Sequence, residues 1–466
     1  MDRETLSHYG WIAICCMIMA VMLAFATPLG DYVKDVANGV LGGFVDTNEG
    51  ALSEENMNNI VNDWENEFLY NTQTIEDIKV KYELVYYPTI EDAINGTNPT
   101  TEANSVFGTY YESGVLNIVL LKDTTIEPIE IDRRTVINLA GNTLKFSSSP
   151  GLTVNAHLTI EGALEGSELI SEQTFAQGRL AYVKEGGKLT LNKGTYTMKT
   201  TGCGNTSAFY VEGDMEANSV NINVSEVNGK TYGIELASTG YADLENTKIF
   251  AVATSGRSYG VSGSGKLEAV ESEFIAYSNF GESNANGYTS MSSGISVSGE
   301  INLKDCKAYG THSGISASGT VEIDGGDYSG YNCGGIYVSG PNSTNYIKNA
   351  NFSEGAMPEG YVDESGGNNK AAMYIGGSAG RDNITLYVDN CTFTGARQPI
   401  VLRGTSGEKN NTLYISNSTI NLDYTSYGIR IDNDTMSVFM GAENNFTANN
   451  TNRKARVSQT TATYTK

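Results

Sequence analysis

The sequence is poor in several residue types, and each shortage excludes a class of protein. Only 30 of its 466 residues are lysine or arginine, against 54 aspartate or glutamate, so the formal net charge is −24. No basic surface is therefore available for a nucleic-acid backbone. With 8 prolines the chain is neither a proline-rich linker nor collagen. Tryptophan occurs twice, whereas 52 glycines and 28 tyrosines indicate many short strands and turns.

Cysteine and histidine are too scattered to predict a metal site. The six cysteines include no CxxC pair, and none has a zinc-like spacing to the three histidines. We therefore expect no metal, no cofactor and no disulfide framework.

The N-terminus carries an uncharged, apolar run from Tyr9 to Leu29. About twenty such residues span a bilayer as a helix, so we predict a short tail at 1–8 and a transmembrane helix at 9–29. The protein is then a single-pass protein of the cell membrane with its C-terminal domain outside. The alternative is a secretory signal cleaved near Ala26, which would release the protein. A helical linker or stalk is predicted at 30–80, because Leu52–Phe68 has apolar residues at helical spacing.

A repeat occupies the rest of the chain. Gly-Ile pairs begin at 294, 314 and 335, and a second pattern, apolar-x-apolar-x-x-small-x-large, follows such strands. Eight segments fit the second pattern: LTLNKGTY, ADLENTKI, LEAVESEF, INLKDCKA, VEIDGGDY, NYIKNANF, LYVDNCTF and LYISNSTI. Repeats of this length predict a parallel β-solenoid, which we assign to 81–446, followed by a polar tail at 447–466.

The pattern also predicts the position of single residues in a coil. Alternation sends Leu386 and Val388 inward and Tyr387 outward. The residue before each small one is asparagine or glycine in five of the eight segments, which is typical of left-handed backbone at a tight bend. Cys306 and Cys391 fall in the small inward column of different coils, so we expect them to be buried and unpaired.

Three motifs carry a resemblance to a known family. Tyr87–Ile94 reads YPTIEDAI, Asn138–Leu144 reads NLAGNTL, and Leu158–Gly162 continues the same pattern. In these motifs the chain resembles the right-handed parallel β-helix, or pectate-lyase-like, superfamily over about residues 85 to 450. The resemblance implies an all-β, right-handed parallel β-helix. It says little about chemistry, because the fold hosts lyases, hydrolases, esterases, adhesins and phage tail proteins.

The catalytic residues of that superfamily do not transfer cleanly. The resemblance implies aspartate-bound calcium with a basic residue in lyases, or clustered aspartates with histidine and an Arg-x-Lys strand in hydrolases. Asp324 and Asp327 flank one bend, but the neighbouring coils offer Asn302 beside Cys306 and Ile347 beside Ala350 in place of further carboxylates. Arg430 is followed by Ile431 and Asp432 where the strand needs lysine. His157 and His312 are isolated, and His312 is expected to be exposed in a turn. The catalytic residues therefore remain unknown.

Outward tyrosines are the more specific signal. Tyr346, Tyr387 and Tyr414 occupy one outward position in three consecutive aligned segments, and Tyr337 and Tyr374 are outward on the preceding strand by the same reasoning. Rings in register would stack along one face. Two interpretations stay open: a structural ladder that shields exposed strands, or a platform that binds sugars.

The sequence thus predicts a membrane-anchored bacterial surface protein. We expect its extracellular β-helix to act as a binding, adhesion or display module for extracellular glycans or cell surfaces. One alternative is a polysaccharide lyase or glycoside hydrolase of the same fold. Another is a pilus-like or stalk component.

Overall fold

A computed structural model describes residues 74–465 apart from a set of gaps. The gaps are residues 175–176, 203, 227–228, 255, 279–291, 332, 355–370, 378–380, 395–398, 405–409, 422–426, 433–435, 442, 448–454 and 458–463. The predicted tail at 1–8, the predicted transmembrane helix at 9–29 and most of the linker at 30–80 lie outside the described residues. Neither α-helix of the described part is long and apolar enough to cross a membrane.

Two short helices precede and follow the first strand. Helix α1 (Ile75–Lys81) begins at Thr74, whose side chain accepts a hydrogen bond from the Asp77 amide. Helix α2 (Ile90–Asn95) begins at Thr89 in the same way and ends at Gly96, which has a left-handed φ of 68°. A single 3₁₀ turn follows at Glu102–Asn104. Helix α2 buries Ile90 and Ala93 in the main core, so it is packed against the first coil.

Strands dominate the described residues and form three sheets. Among these residues the first sheet has sixteen strands: β1 (Val85–Tyr87), β2 (Phe107–Glu112), β3 (Val115–Leu120), β6 (Thr135–Asn138), β9 (His157–Glu161), β12 (Lys188–Asn192), β15 (Asp214–Asn218), β18 (Tyr241–Glu245), β21 (Lys266–Val270), β24 (Glu300–Lys304), β27 (Thr320–Asp324), β30 (Thr344–Lys348), β33 (Thr385–Asp389), β36 (Thr412–Ser416), β39 (Ser437–Met440) and β42 (Tyr464–Thr465).

The second sheet, again counted over the described part of the chain, has thirteen strands: β4 (Thr124–Ile126), β7 (Thr143–Phe146), β10 (Glu168–Gln173), β13 (Thr195–Thr200), β16 (Asn221–Glu226), β19 (Lys248–Ala253), β22 (Glu273–Ser278), β25 (Lys307–Gly310), β28 (Asp327–Gly330), β31 (Asn351–Glu354), β34 (Thr392–Thr394), β37 (Thr419–Asn421) and β40 (Asn445–Thr447).

Within the described residues the third sheet also has thirteen: β5 (Ile129–Ile131), β8 (Leu152–Val154), β11 (Gln177–Val183), β14 (Asn205–Val211), β17 (Lys230–Leu236), β20 (Ser258–Gly263), β23 (Ser293–Val297), β26 (Ser313–Ala317), β29 (Ile336–Val338), β32 (Met373–Gly377), β35 (Ile400–Gly404), β38 (Tyr427–Ile431) and β41 (Ala455–Val457).

The connectivity is that of a parallel β-helix. Strands β1, β2 and β3 pair antiparallel, and from β3 onward each strand pairs in parallel with the strand three places later in the chain. One coil therefore contributes one strand to each sheet, and successive coils stack. This confirms the predicted solenoid of stacked parallel strands.

The interior follows the predicted alternation. Leu386 and Val388 are buried in the main core, whereas Tyr387 between them is 40% exposed. Aromatic rings also stack inside the coils: Tyr328 lies 5.3 Å from Phe352, and Phe352 lies 5.4 Å from Phe393, between ring centroids. The register between coils thus places similar side chains above one another in the interior of the β-helix.

The bend between the first and second sheets confirms the predicted left-handed column. All eight aligned positions have positive φ, from 46° to 82°: Lys193, Asn246, Glu271, Asp305, Gly325, Asn349, Asn390 and Asn417. The small residue that follows is packed tightly. At Gly326, which itself has φ 96°, an added Cβ would overlap the carbonyl oxygen of Cys306. Cys306 and Cys391 are buried, unpaired thiols of the core, as predicted.

Strands continue into the segment assigned to the polar tail at 447–466. Strand β41 pairs in parallel with β38, and β42 pairs in parallel with β39. The described residues of this segment therefore add to the third and first sheets.

Candidate binding surface

Four aromatic side chains form a column on the outer face of the first sheet. Tyr346, Tyr387, Tyr414 and Phe439 are register partners on strands β30, β33, β36 and β39. Their ring centroids are 5.2, 4.8 and 4.7 Å apart in that order, and neighbouring planes differ by only 9° to 11°. We call these four residues the aromatic ladder. It exists because the inward residues on both sides of each ring are fixed in the core, which leaves the ring outside.

The ladder is both stacked and accessible. Nearly parallel rings at this separation are offset-stacked, so each covers part of its neighbour's face and leaves the edge open. Tyr346, Tyr387 and Tyr414 are 52%, 40% and 36% exposed. Their phenolic hydroxyls make no hydrogen bond with any described residue. The surface thus exposes apolar ring edges and a row of phenolic hydroxyl groups at the spacing of the coils.

A groove runs along the ladder across successive coils. Its volume is about 650 Å³, and its exposed surface is predominantly apolar. Its lining residues come from five neighbouring strands of the first sheet and the bend after the last: Glu322, Ile323, Tyr346, Ile347, Lys348, Tyr387, Val388, Asp389, Tyr414, Ile415, Ser416, Phe439, Met440 and Gly441. The long axis of the groove is therefore the stacking direction of the coils.

Polar residues border the ladder on both sides. One flank is a column of hydroxyls two residues before each ring: Thr344, Thr385, Thr412 and Ser437. On the other flank, the Lys348 ammonium lies 3.0 Å from Asp324, and the Asn349 side chain donates to the same carboxylate at 2.6 Å. These hydrogen bonds, that from Asn349 first, lower the pKa of Asp324. The Ser416 and Asn417 side chains both donate to Oδ1 of Asp389 at 2.7 Å.

The other two predicted tyrosines do not join the ladder. Tyr337 and Tyr374 are register partners on the third sheet, with ring centroids 6.3 Å apart and planes at 83°. Tyr374 is only 3% exposed, because it packs in a separate cluster with Ala371 and Val401 outside the main core. The Tyr337 hydroxyl accepts a hydrogen bond from Arg381, whose guanidinium lies 5.4 Å from the ring centroid. The structure thus brings together three of the five predicted tyrosines.

The catalytic candidates do not converge. Asp324 ends strand β27 of the first sheet, and Asp327 begins β28 of the second, where it accepts a hydrogen bond from Asn351 at 2.9 Å. Arg430 lies on the third sheet and pairs with Asp432 at 2.6 Å. Within the described residues, no group of three or more histidine, cysteine or acidic side chains is arranged to hold a metal ion.

The histidines lie apart from these groups. The expectation of an exposed His312 is wrong: the residue is half-buried, and its Nδ1 is enclosed without a partner among the described residues. Burial lowers the pKa of His312 to about 4. His157 contacts the Thr190 hydroxyl at 3.3 Å, and burial lowers its pKa as well. His157 begins strand β9 of the first sheet, several coils before the ladder strands, and His312 precedes β26 of the third sheet.

Comparison with known proteins adds no relative. No protein-family model matches the chain, and no curated protein matches it. The chemistry of the ladder surface is therefore the basis for a functional assignment.

Sequence reasoning missed two parts of this surface. Phe439 continues the ladder, but its segment VFMGAENNF holds one extra residue before the bend, so a gap-free alignment skips it. Asp389 was not singled out, although it stands two residues after Tyr387 and therefore on the same face. An alignment with one insertion places Phe439 in the outward column of the tyrosines, and alternation places Asp389 beside that column on the outer face.

Proposed function

We propose that this protein is a binding module that holds an extracellular glycan against the aromatic ladder. The observation that carries the proposal is the exposure of three stacked tyrosines along an apolar groove, with hydroxyls that no described residue uses. Apolar concave surfaces with a few polar groups are typical of ligand sites. Stacking alone needs no hydroxyl, as Phe439 illustrates at the end of the ladder.

The proposal includes the setting of the module. The coils form a right-handed, pectate-lyase-like β-helix, anchored in the cell membrane through residues 9–29 and displayed outside the cell. Crossovers between parallel strands of one sheet are right-handed in about 98% of cases, which supports the handedness. The uncharged run Tyr9–Leu29 supports the anchor.

A glycan-binding assay on the full-length protein tests the function. The protein, purified in detergent micelles, is applied to an array of extracellular glycans, and the dissociation constant for the best ligand is measured. Tyr387→Ala removes the central contact and is expected to weaken binding about tenfold, which corresponds to one or two aromatic contacts. Tyr387→Phe keeps the ring and removes the hydroxyl, so a smaller loss is expected.

Tyr111→Ala is the matched control. Tyr111 is 64% exposed on strand β2 of the same sheet but outside the ladder, so this variant should bind as the unchanged protein does. Circular dichroism confirms that each variant is folded. Equal binding by Tyr387→Ala and the unchanged protein would refute the proposal.

An activity assay separates binding from catalysis. The same glycans are incubated with the protein with and without calcium, and release of reducing or unsaturated sugar is measured. We expect no product. Product that depends on calcium would instead support a lyase of the same fold.

Fractionation of the native host membrane tests the anchor, since isolated membrane chains are expected rather than fibres.

A further inference from the structure

A polymeric ligand that contacts every ring of the ladder must lie along the stack of coils, and its repeating unit must match the distance between rings. The groove crosses the strands rather than running along them, and one ring is presented per coil at 4.7 to 5.2 Å. A polymer keeps the same contact on every ring only if its repeat advances by about that distance along a straight axis. An extended, β-1,4-linked chain of pyranose units does so, whereas an α-1,4-linked chain coils away from a straight row.

The charges around the groove select against an acidic ligand. Glu322 and Asp389 line the groove, and Asp324 stands at its edge with Lys348. Three carboxylates and one ammonium give these four groups a net charge of −2, and the Lys348 ammonium lies 3.0 Å from Asp324. The whole chain carries −24. Uronate or sulfate groups placed in the groove would therefore meet like charges.

Acceptor atoms remain available for hydroxyl or amine groups. Both donors to Asp389 use its Oδ1, and Oδ2 has no partner among the described residues. The Glu322 carboxylate makes no hydrogen bond with a described residue either. A carboxylate oxygen accepts from a sugar hydroxyl and more strongly from an ammonium group. The hydroxyl column Thr344, Thr385, Thr412 and Ser437 adds donors and acceptors at the same period on the other flank.

We infer that the ligand is a linear, β-1,4-linked glycan without negative charge, neutral or amine-bearing, that lies parallel to the stack of coils. This inference rests on the proposed function and narrows its ligand. The rings contact successive sugar units, the hydroxyl column binds one edge of the chain, and Asp389 binds hydroxyl or amine groups on the other edge. Glu322 binds such groups at the end of the ladder, beyond Tyr346.

Four hexasaccharides of equal length separate the possibilities. Full-length protein is titrated by calorimetry with cellohexaose, the corresponding glucosamine hexamer, maltohexaose and hexagalacturonate. We expect binding of cellohexaose or the glucosamine hexamer, with at least about tenfold weaker binding of maltohexaose and hexagalacturonate. Asp389→Asn removes a charge without changing size. This variant should bind the glucosamine hexamer several-fold more weakly than the unchanged protein does, and its affinity for cellohexaose should stay within about twofold.

The outcomes distinguish failure of the inference from failure of the function. If hexagalacturonate binds most tightly and Tyr387→Ala abolishes that binding, the charge inference is overturned and the ladder remains a glycan site. Equal binding of maltohexaose and cellohexaose would overturn the linear geometry. Binding of any hexamer that Tyr387→Ala leaves unchanged would overturn the proposed function as well. Tyr346→Ala, which removes a ring of the ladder but only one ring contact, provides the second variant if Tyr387→Ala does not fold.

Discussion

The position of a ring within the ladder should determine how much it stabilises the fold. Tyr387 stacks on a ring on each side, at 5.2 Å and 4.8 Å between centroids. Tyr346 stacks on Tyr387 alone among the described residues, because Glu322 occupies the next coil of its column. Truncation to alanine therefore removes two ring contacts at Tyr387 and one at Tyr346.

The expected magnitudes follow from the number of contacts. An aromatic pair contributes about 0.5–1.5 kcal/mol beyond the area it buries. Tyr346→Ala should then lower the free energy of unfolding by about 1 kcal/mol and Tyr387→Ala by about 2 kcal/mol. The buried neighbours Leu386 and Val388 stay in the core, so no interior cavity adds to either value.

Urea unfolding of the single and double variants measures these values. The double variant Tyr346→Ala/Tyr387→Ala should show a coupling of about 1 kcal/mol, because the two substitutions share one ring contact. Tyr346→Ala/Tyr414→Ala should be additive, since Tyr387 separates these rings in the column. Equal losses for the two single variants, or no coupling in the first pair, would refute the stacking argument.

Three further substitutions probe the rest of the fold. Glu271 has φ 49° in a column where other coils use asparagine, so Glu271→Asn should raise the free energy of unfolding by up to about 1 kcal/mol in urea; a loss would contradict this. Gly326→Ala should lower the melting temperature by several degrees, because the added Cβ would overlap the Cys306 carbonyl oxygen. Gly114→Ala is the control: Gly114 has φ 79° but open space around it, so the melting temperature should fall less. Burial lowers the pKa of His312 from 6.5 to about 4, so the unfolded chain binds a proton that the folded chain excludes, and stability should fall as pH drops through that interval. His312→Asn should flatten that part of the pH profile of the urea midpoint, and an unchanged profile would be evidence against it.

The sequence was sufficient to place residues inside or outside a coil. Period-two alternation located Leu386, Tyr387 and Val388, and the small column located Cys306 and Cys391 in the core. These predictions succeed because stacked coils repeat one backbone, so a column of side chains leaves a repeated signal in the sequence.

Coils with an atypical bend were missed. Ser219 has a left-handed φ of 56° like the aligned positions, but the residue after it is Val220, which is too large for the small column. Glu443 has φ 62° and follows one inserted residue. The left-handed bend is therefore kept in these coils, although the sequence pattern that predicts it elsewhere is absent.

Alternation also says nothing about what covers the outside of a coil. Tyr374 was correctly assigned away from the main core, yet it is 3% exposed because Ala371 and Val401 pack against it. His312 was misjudged for the same reason, since its neighbourhood in sequence resembles an open turn. Contacts made on the outside of a coil depend on tertiary packing, which one repeat unit does not encode.

The column that holds the ladder changes chemistry along the coils, and this change confines the site. Towards the N-terminus the partners of Tyr346 in register are Glu322, Asn302, Glu268, Asp243 and Glu216 in turn. Burial, with the like charges of Glu268 and Glu216, raises the pKa of Asp243, so these acids already repel one another at close range. A ligand that lies against the ring edges therefore loses its apolar contact beyond Tyr346, where Glu322 takes the place of a ring. Because the backbone is the same in every coil, it is the outward side chain alone that makes the last coils a binding surface and the middle coils an acidic one.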